Sequence, residues 1–163
     1  MAVFLSLFIS CKTKMNVTVK DEKNNTDMLS GLCNRQAFEN ESFKKWFDEE
    51  YFGYNPIEPV IDELSEIVSS KKIDILVVFG TWCSDSRREI PRFYKIIDNI
   101  GINESDIKLV AVDRKKTAKG DLLGTIVIEK VPTFFFYENG KEIGRIIEVP
   151  TLTLEEDILN TLK

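Results

Sequence analysis

The strongest constraint in this chain is a change of hydrophobic period at one point. Residues Ile73–Phe79 form a short, nearly continuous apolar run rich in β-branched side chains, the pattern of a strand buried on both faces. Straight after it come Thr81-Trp82-Cys83-Ser84-Asp85-Ser86, which open an amphipathic helix burying Ile90, Phe93, Ile97 and Ile100 and stopping at Gly101. A thiol therefore sits where a strand hands over to a helix N-terminus. Unpaired backbone N–H groups and the positive end of the helix dipole favour thiolate over thiol there. Thiolate is the nucleophilic form, so Cys83 is the leading candidate for chemistry.

The rest of the folded part reads from the same kinds of signal. Phe38, Phe43, Trp46-Phe47 and Tyr51 recur at roughly helical spacing up to Gly53 and Pro56, and these aromatics suit a core more than a recognition surface. Ile57, Val60-Ile61, Leu64 and Ile67-Val68 repeat at i, i+3/4, i+7, a helix with one buried face that closes at Lys71-Lys72. Ile107–Val112 is a second buried strand, and strand–helix–strand order implies a right-handed parallel crossover. Phe134–Tyr137, Asn139-Gly140 and Glu142–Val149 form a hairpin signal, since Asn-Gly supplies the positive φ values of a tight turn. Leu154, Ile158, Leu159 and Leu162 share one face of a terminal helix, with Thr153 and Glu155-Glu156 suited to its start.

Composition narrows the chemistry. The 163 residues suffice for one domain and a short extension, with 43% hydrophobic and 30% charged residues as in a globular protein. Net charge is −5 with Lys and Arg scattered along the chain, which gives nucleic-acid binding no electrostatic support. There is no histidine, which removes the usual general base, the Cys–His pair and the commonest metal ligand. Cys11, Cys33 and Cys83 are not spaced as a zinc site. Catalysis would rest on thiol, carboxylate or backbone groups, with no metal and no organic cofactor.

Residues Ala2–Ile9 are almost entirely apolar and Ser10-Cys11 follows at once. The run is far shorter than the about 20 residues of a membrane-spanning helix and has the length of a signal-peptide core. It resembles the lipobox of bacterial lipoproteins, in which the cysteine is lipidated and becomes the first mature residue, although no Lys or Arg precedes it and Phe8 stands where Leu is usual. The expectation is a signal peptide over residues 1–11, lipidation at Cys11, and export to the periplasm with the membrane touched only through that anchor. Residues 12–30, rich in Asn, Lys, Thr and Asp, read as a flexible tether. Residues 31–163 then form the domain, its first part (31–55) a helical extension.

The βαβ unit, hairpin and terminal helix with Trp82-Cys83 at the first strand–helix junction resemble the thioredoxin family. Pro91, eight residues beyond Cys83, matches the proline of that family's active-site helix, and Val131-Pro132-Thr133 matches its cis-proline loop. The likeness covers about Pro56 to Lys163. It implies an α/β fold, a three-layer α/β/α sandwich around a central mixed sheet. It also implies a cis bond at Pro132 that turns backbone groups of Val131 and Thr133 toward an extended substrate, with Trp82 beside them. Partners would be protein or small-molecule thiols and disulfides, met by a monomer.

Two departures from that pattern bear on mechanism. The family's second active-site cysteine is Ser86, giving C-x-x-S, so the resolving thiol is missing while Ser86 keeps a hydroxyl able to hydrogen-bond a Cys83 thiolate. The family's sheet carboxylate falls at Val77. Asp85 opposes a thiolate and Arg87 or Arg88 offsets it. Cys33 is either a resolving cysteine folded back over the site or a small buried hydrophobe.

Three functions compete. A single-cysteine thiol–disulfide oxidoreductase would form a mixed disulfide at Cys83 and release it to an external thiol. A redox-inactive module would keep only the peptide groove around Trp82, Cys83 and Pro132. A thiol peroxidase would need a Thr and an Arg around the cysteine, which Thr81 and Arg87 or Arg88 match poorly.

Overall fold

The computed structural model describes residues 14–163. The apolar run and Cys11, read as a leader and lipidation site, lie outside the described residues. Within them the chain runs β1 (Val17–Lys20), β2 (Asp27–Cys33), α1 (Glu41–Gly53), α2 (Glu58–Ser70), β3 (Ile73–Phe79), α3 (Ser84–Ile100), β4 (Ile107–Ala111), β5 (Thr133–Glu138), β6 (Lys141–Ile147) and α4 (Leu154–Leu162). The strands make one mixed sheet in the order β1-β2-β4-β3-β5-β6. β3 lies inside it, parallel to β4 and antiparallel to β5.

The apolar runs explain that placement. A strand with side chains buried on both faces is stable only with cover above and below. Ile75, Val77 and Phe79 of β3, with Phe134 and Phe136 of β5, enter a core shared with α1, α2, α3 and α4. Leu76, Val78 and Phe135 point the other way into a second core, closed by Ile126, Ile128 and Val131 of the irregular segment that leads into β5. Each of these Phe side chains contributes about 1.5–3 kcal/mol of burial.

Local chemistry sets the ends of the elements. Asn40 accepts the Ser42 N–H at the start of α1, and Thr153 with Glu156 forms a reciprocal capping box on α4. Gly101 ends α3 at φ +78, a left-handed conformation that suits glycine. Asn139 and Gly140 carry the β5–β6 turn at φ 51 and 76.

The tether reading fails over residues 17–30. They belong to a β-hairpin that runs from Val17 to Cys33, and β2 joins the sheet beside β4, with Cys33 facing Leu109 in register. Many polar residues hide the alternation of Val17 and Val19 with Thr18 and Lys20, and the fully covered Met28 and Leu29. The extension over 31–55 is corrected too: Gly31–Cys33 belong to β2, and helical structure starts at Arg35. Its aromatics are largely core, with Phe38, Phe43 and Phe47 buried and Trp46 and Tyr51 packed on them, whereas Phe52 is exposed.

Candidate active site

The site grows from the end of β3. A tight turn closes with the Cys83 N–H donating to the Gly80 carbonyl at 2.9 Å, and Cys83 becomes the N-cap of α3. Gly80 is needed there because a Cβ would stand 2.6 Å from the Trp82 indole. The indole N–H donates to the Val112 carbonyl at 2.9 Å, which fixes the ring across the end of β4. Thr81 is buried, and its Oγ1 accepts the Leu29 N–H at 3.1 Å, tying the turn to the N-terminal hairpin.

Cys83 is half-buried and lies against the proline loop, its S–H donating to the Val131 carbonyl at 3.3 Å. The Val131–Pro132 peptide bond is cis. The Val131 N–H makes no hydrogen bond among the described residues, while the Pro132 carbonyl accepts from Glu148 N–H at 2.7 Å. Thr133 behaves differently from the expectation. It enters β5 in register with Val78 and Ile147, it is buried, and its hydroxyl donates to the Lys130 carbonyl at 2.8 Å. Val131 thus keeps a backbone N–H without a partner among the described residues.

Ser86 also takes another role. It is buried at the first turn of α3, where its Oγ accepts the Gly80 N–H at 3.2 Å, and no hydrogen bond joins it to Cys83 among the described residues. The resemblance reads this position as the family's second cysteine; in the structure its hydroxyl braces the turn that carries Cys83. Asp85 approaches the thiol at 4.0 Å and is neutralised by Arg88 at 3.0 Å. Arg87 instead donates to the Thr81 carbonyl, so only Arg88 of the two arginines offsets Asp85. Val77 is fully buried in the apolar core and puts no carboxylate beneath the thiol.

Cys33 is not a resolving cysteine. Cys83 follows the end of β3 and turns toward Val131 at the head of β5, whereas Cys33 lies on β2, with β4 between β2 and β3. Two strand spacings come to about 10 Å, beyond the about 7 Å that a disulfide can span between α-carbons. Both thiols are free. Cys33 is buried among apolar side chains, and that burial pushes its thiol up to about 12. Among the described residues no group of His, Cys, Asp and Glu could hold a metal ion.

Sequence reasoning missed a brace beside the thiol. Arg114 binds Asp21 through two nitrogens at 2.7–3.1 Å, and its guanidinium lies 5.2 Å from the Trp82 ring centroid. Asp21 is buried although charged, because Arg114 answers it. Neither residue carries a local signal, since the pair is 93 positions apart in the chain.

A partly exposed thiol at a strand-to-helix junction, facing a proline loop across a mixed sheet, defines a thiol-bearing protein of thioredoxin architecture. The family model described as Thioredoxin matches residues 57–161, and the chain belongs to that family. It is 28% identical over 102 residues to a thioredoxin of Coprinus comatus, covering 63% of this chain and 92% of that one. It is 30% identical over 100 residues to a thioredoxin of Mycoplasma genitalium, covering 61% and 92%. Among solved structures, oxidised thioredoxin O2 of Arabidopsis thaliana is 18% identical with a TM-score of 0.42, covering 65% of this chain and 89% of that one. At family level these relatives suggest thiol–disulfide oxidoreductase chemistry on protein thiols and disulfides.

Proposed function

We propose that this protein is a thiol–disulfide oxidoreductase working through Cys83 alone. The observation that carries the reading is the half-exposed Cys83 thiol at the N-cap of α3, 3.3 Å from the Val131 carbonyl. The Cys83 thiolate attacks one sulfur of a substrate disulfide. A new S–S bond forms to Cys83, the substrate S–S bond breaks, and the departing thiolate takes a proton from water. With Ser86 at the resolving position and Cys33 across the sheet, a second thiolate from the substrate or from a small thiol then attacks the substrate sulfur. That step releases Cys83 as thiolate, and the electrons come from the attacking thiol. This suits isomerisation and removal of bound small thiols better than net dithiol reduction.

The rival reading, a redox-inactive binding module, draws on Val77 and Ser86, which remove the family's carboxylate and resolving thiol. Alkylation rates of Cys83 and Cys33 against pH, read by peptide mapping, separate the two. Rapid reaction of Cys83 well below the ordinary thiol pKa of about 8.5 supports the oxidoreductase. A Cys83 that titrates ordinarily or resists alkylation leaves the binding module.

We also propose export with a lipid on Cys11 and a periplasmic, membrane-anchored location, supported by the apolar run that closes at Ser10-Cys11. With β1 starting at Val17, residues 12–16 are the whole spacer between anchor and sheet. A lipid on Cys11 would therefore keep the domain close to the bilayer, since five residues reach at most about 18 Å. Loss of fatty-acid labelling and of membrane fractionation in Cys11→Ala is the expected result, and unchanged fractionation counts against the anchor.

A further inference from the structure

Although the chain is acidic overall, the ground beside the nucleophile is basic. The β1–β2 hairpin and the segment after β4 enclose an open groove of about 610 Å³, within the range of ligand sites. Lys23, Arg114, Lys115 and Lys119 line it together with the apolar Met28 and Ala118. Its carboxylates are largely committed. Asp21 is bound by Arg114, and Asp113 accepts the backbone N–H groups of Lys115 and Thr117 at 2.9 Å each. Lys23, Lys115 and Lys119 are exposed and form no ion pair among the described residues, with Glu22 the one uncommitted acid facing them.

The groove reaches the site through Arg114, which lines it and also stacks on Trp82, the neighbour of Cys83. Hydrogen bonds to Asp21 raise the Arg114 pKa against the opposing effect of desolvation. The guanidinium thus carries the positive charge of the groove to the residue beside the nucleophile.

We infer that this groove selects disulfides flanked by carboxylates, the Lys23, Lys115 and Lys119 ammonium groups receiving an acidic polypeptide segment while its cystine sulfur meets Cys83. The inference rests on the oxidoreductase reading and adds its substrate class. A positive wall beside a reactive group concentrates anions and speeds their encounter, with a dependence on ionic strength that follows charge alone. The scattering of Lys and Arg along the sequence concealed this, because the hairpin and the 113–119 segment meet only in the fold.

The test uses a peptide disulfide flanked by Glu, the same peptide flanked by Gln, and oxidised glutathione. Mixed-disulfide formation at Cys83 is followed by intact mass. The expected result is a Glu-peptide rate about tenfold above the Gln-peptide rate at low ionic strength. That ratio falls toward one in high salt and in the doubly reversed variant Lys115→Glu/Lys119→Glu. A ratio of one at low salt, with both peptides reacting, overturns the groove while leaving the oxidoreductase standing. If neither peptide reacts with Cys83, the oxidoreductase reading falls and the inference goes with it. A stronger charge effect for glutathione than for the Glu peptide assigns the same carboxylate recognition to a small acidic disulfide.

Discussion

The α-hydrogen face of Gly80 packs against the Trp82 indole so closely that an added Cβ would stand 2.6 Å from both Nε1 and Cε2. The side chain next to the nucleophile is thus positioned by the absence of a side chain two residues earlier. Gly80→Ala should push the ring off its bond to the Val112 carbonyl and cost about 1–3 kcal/mol, as overpacking does. Denaturant midpoints and the Trp82 emission spectrum check this. An unshifted spectrum at unchanged stability would mean that the ring is not held by this contact.

Ser86 offers a second handle. Ser86→Ala strips the acceptor from the Gly80 N–H, and leaving a buried donor unpaired costs about 1–3 kcal/mol. Ser86→Cys restores the C-x-x-C pattern and should shorten the lifetime of a Cys83 mixed disulfide by tenfold or more, about 1.4 kcal/mol in barrier, because resolution becomes intramolecular. Stopped-flow quenching with mass detection measures that lifetime, and an unchanged value would show that residue 86 cannot reach the mixed disulfide.

The Asp21–Arg114 pair makes stability fall in acid. Hydrogen bonds from Arg114 hold the Asp21 carboxyl below its usual 3.8, so the folded form keeps this charge to lower pH than the unfolded chain does. The contribution is complete above the unfolded value and is lost as pH falls through the lower, folded one. Urea midpoints taken from pH 6 to 2 should decline less steeply in Asp21→Asn than in the unaltered protein. A double-mutant cycle with Arg114→Ala should show the two positions coupled.

Cys33 produces the opposite trend at high pH. Burial raises its thiol to about 12, so above the ordinary thiol value the unfolded chain loses this proton first. Stability is fully present below that point and drains away as pH climbs toward the folded value. Cys33→Ala should flatten the alkaline slope while lowering neutral-pH stability by about 1–2 kcal/mol through lost packing. In the native protein Cys33 should resist alkylation until the chain unfolds, and labelling at the Cys83 rate under native conditions would refute its burial.

The chain carries two kinds of structural information. Strand β3, helix α3 and the Asn139-Gly140 hairpin were legible because each is written in neighbouring residues: a buried run, a 3.6-residue stripe, a pair that takes positive φ. Cys83 was legible for the same reason, since its place at a strand-to-helix junction is a local property. The hairpin of β1 and β2 was not, because its few apolar residues become a strand only when β4 offers an edge to pair with. Likewise Thr133 looked available and Ser86 looked poised toward the thiol, until β5 pairing and the Gly80 N–H claimed them.

By itself the sequence determined where the thiol stands and which helix start it caps, through periodicities that act within a few residues. The thiol's surroundings exist only in the folded chain: Leu29 on Thr81, Asp21 on Arg114, Arg114 on Trp82, and Cys33 buried on β2 beyond β4. Those contacts join residues far apart in the chain. Their energies depend on burial and partner geometry, which exist only once the sheet has brought its strands together.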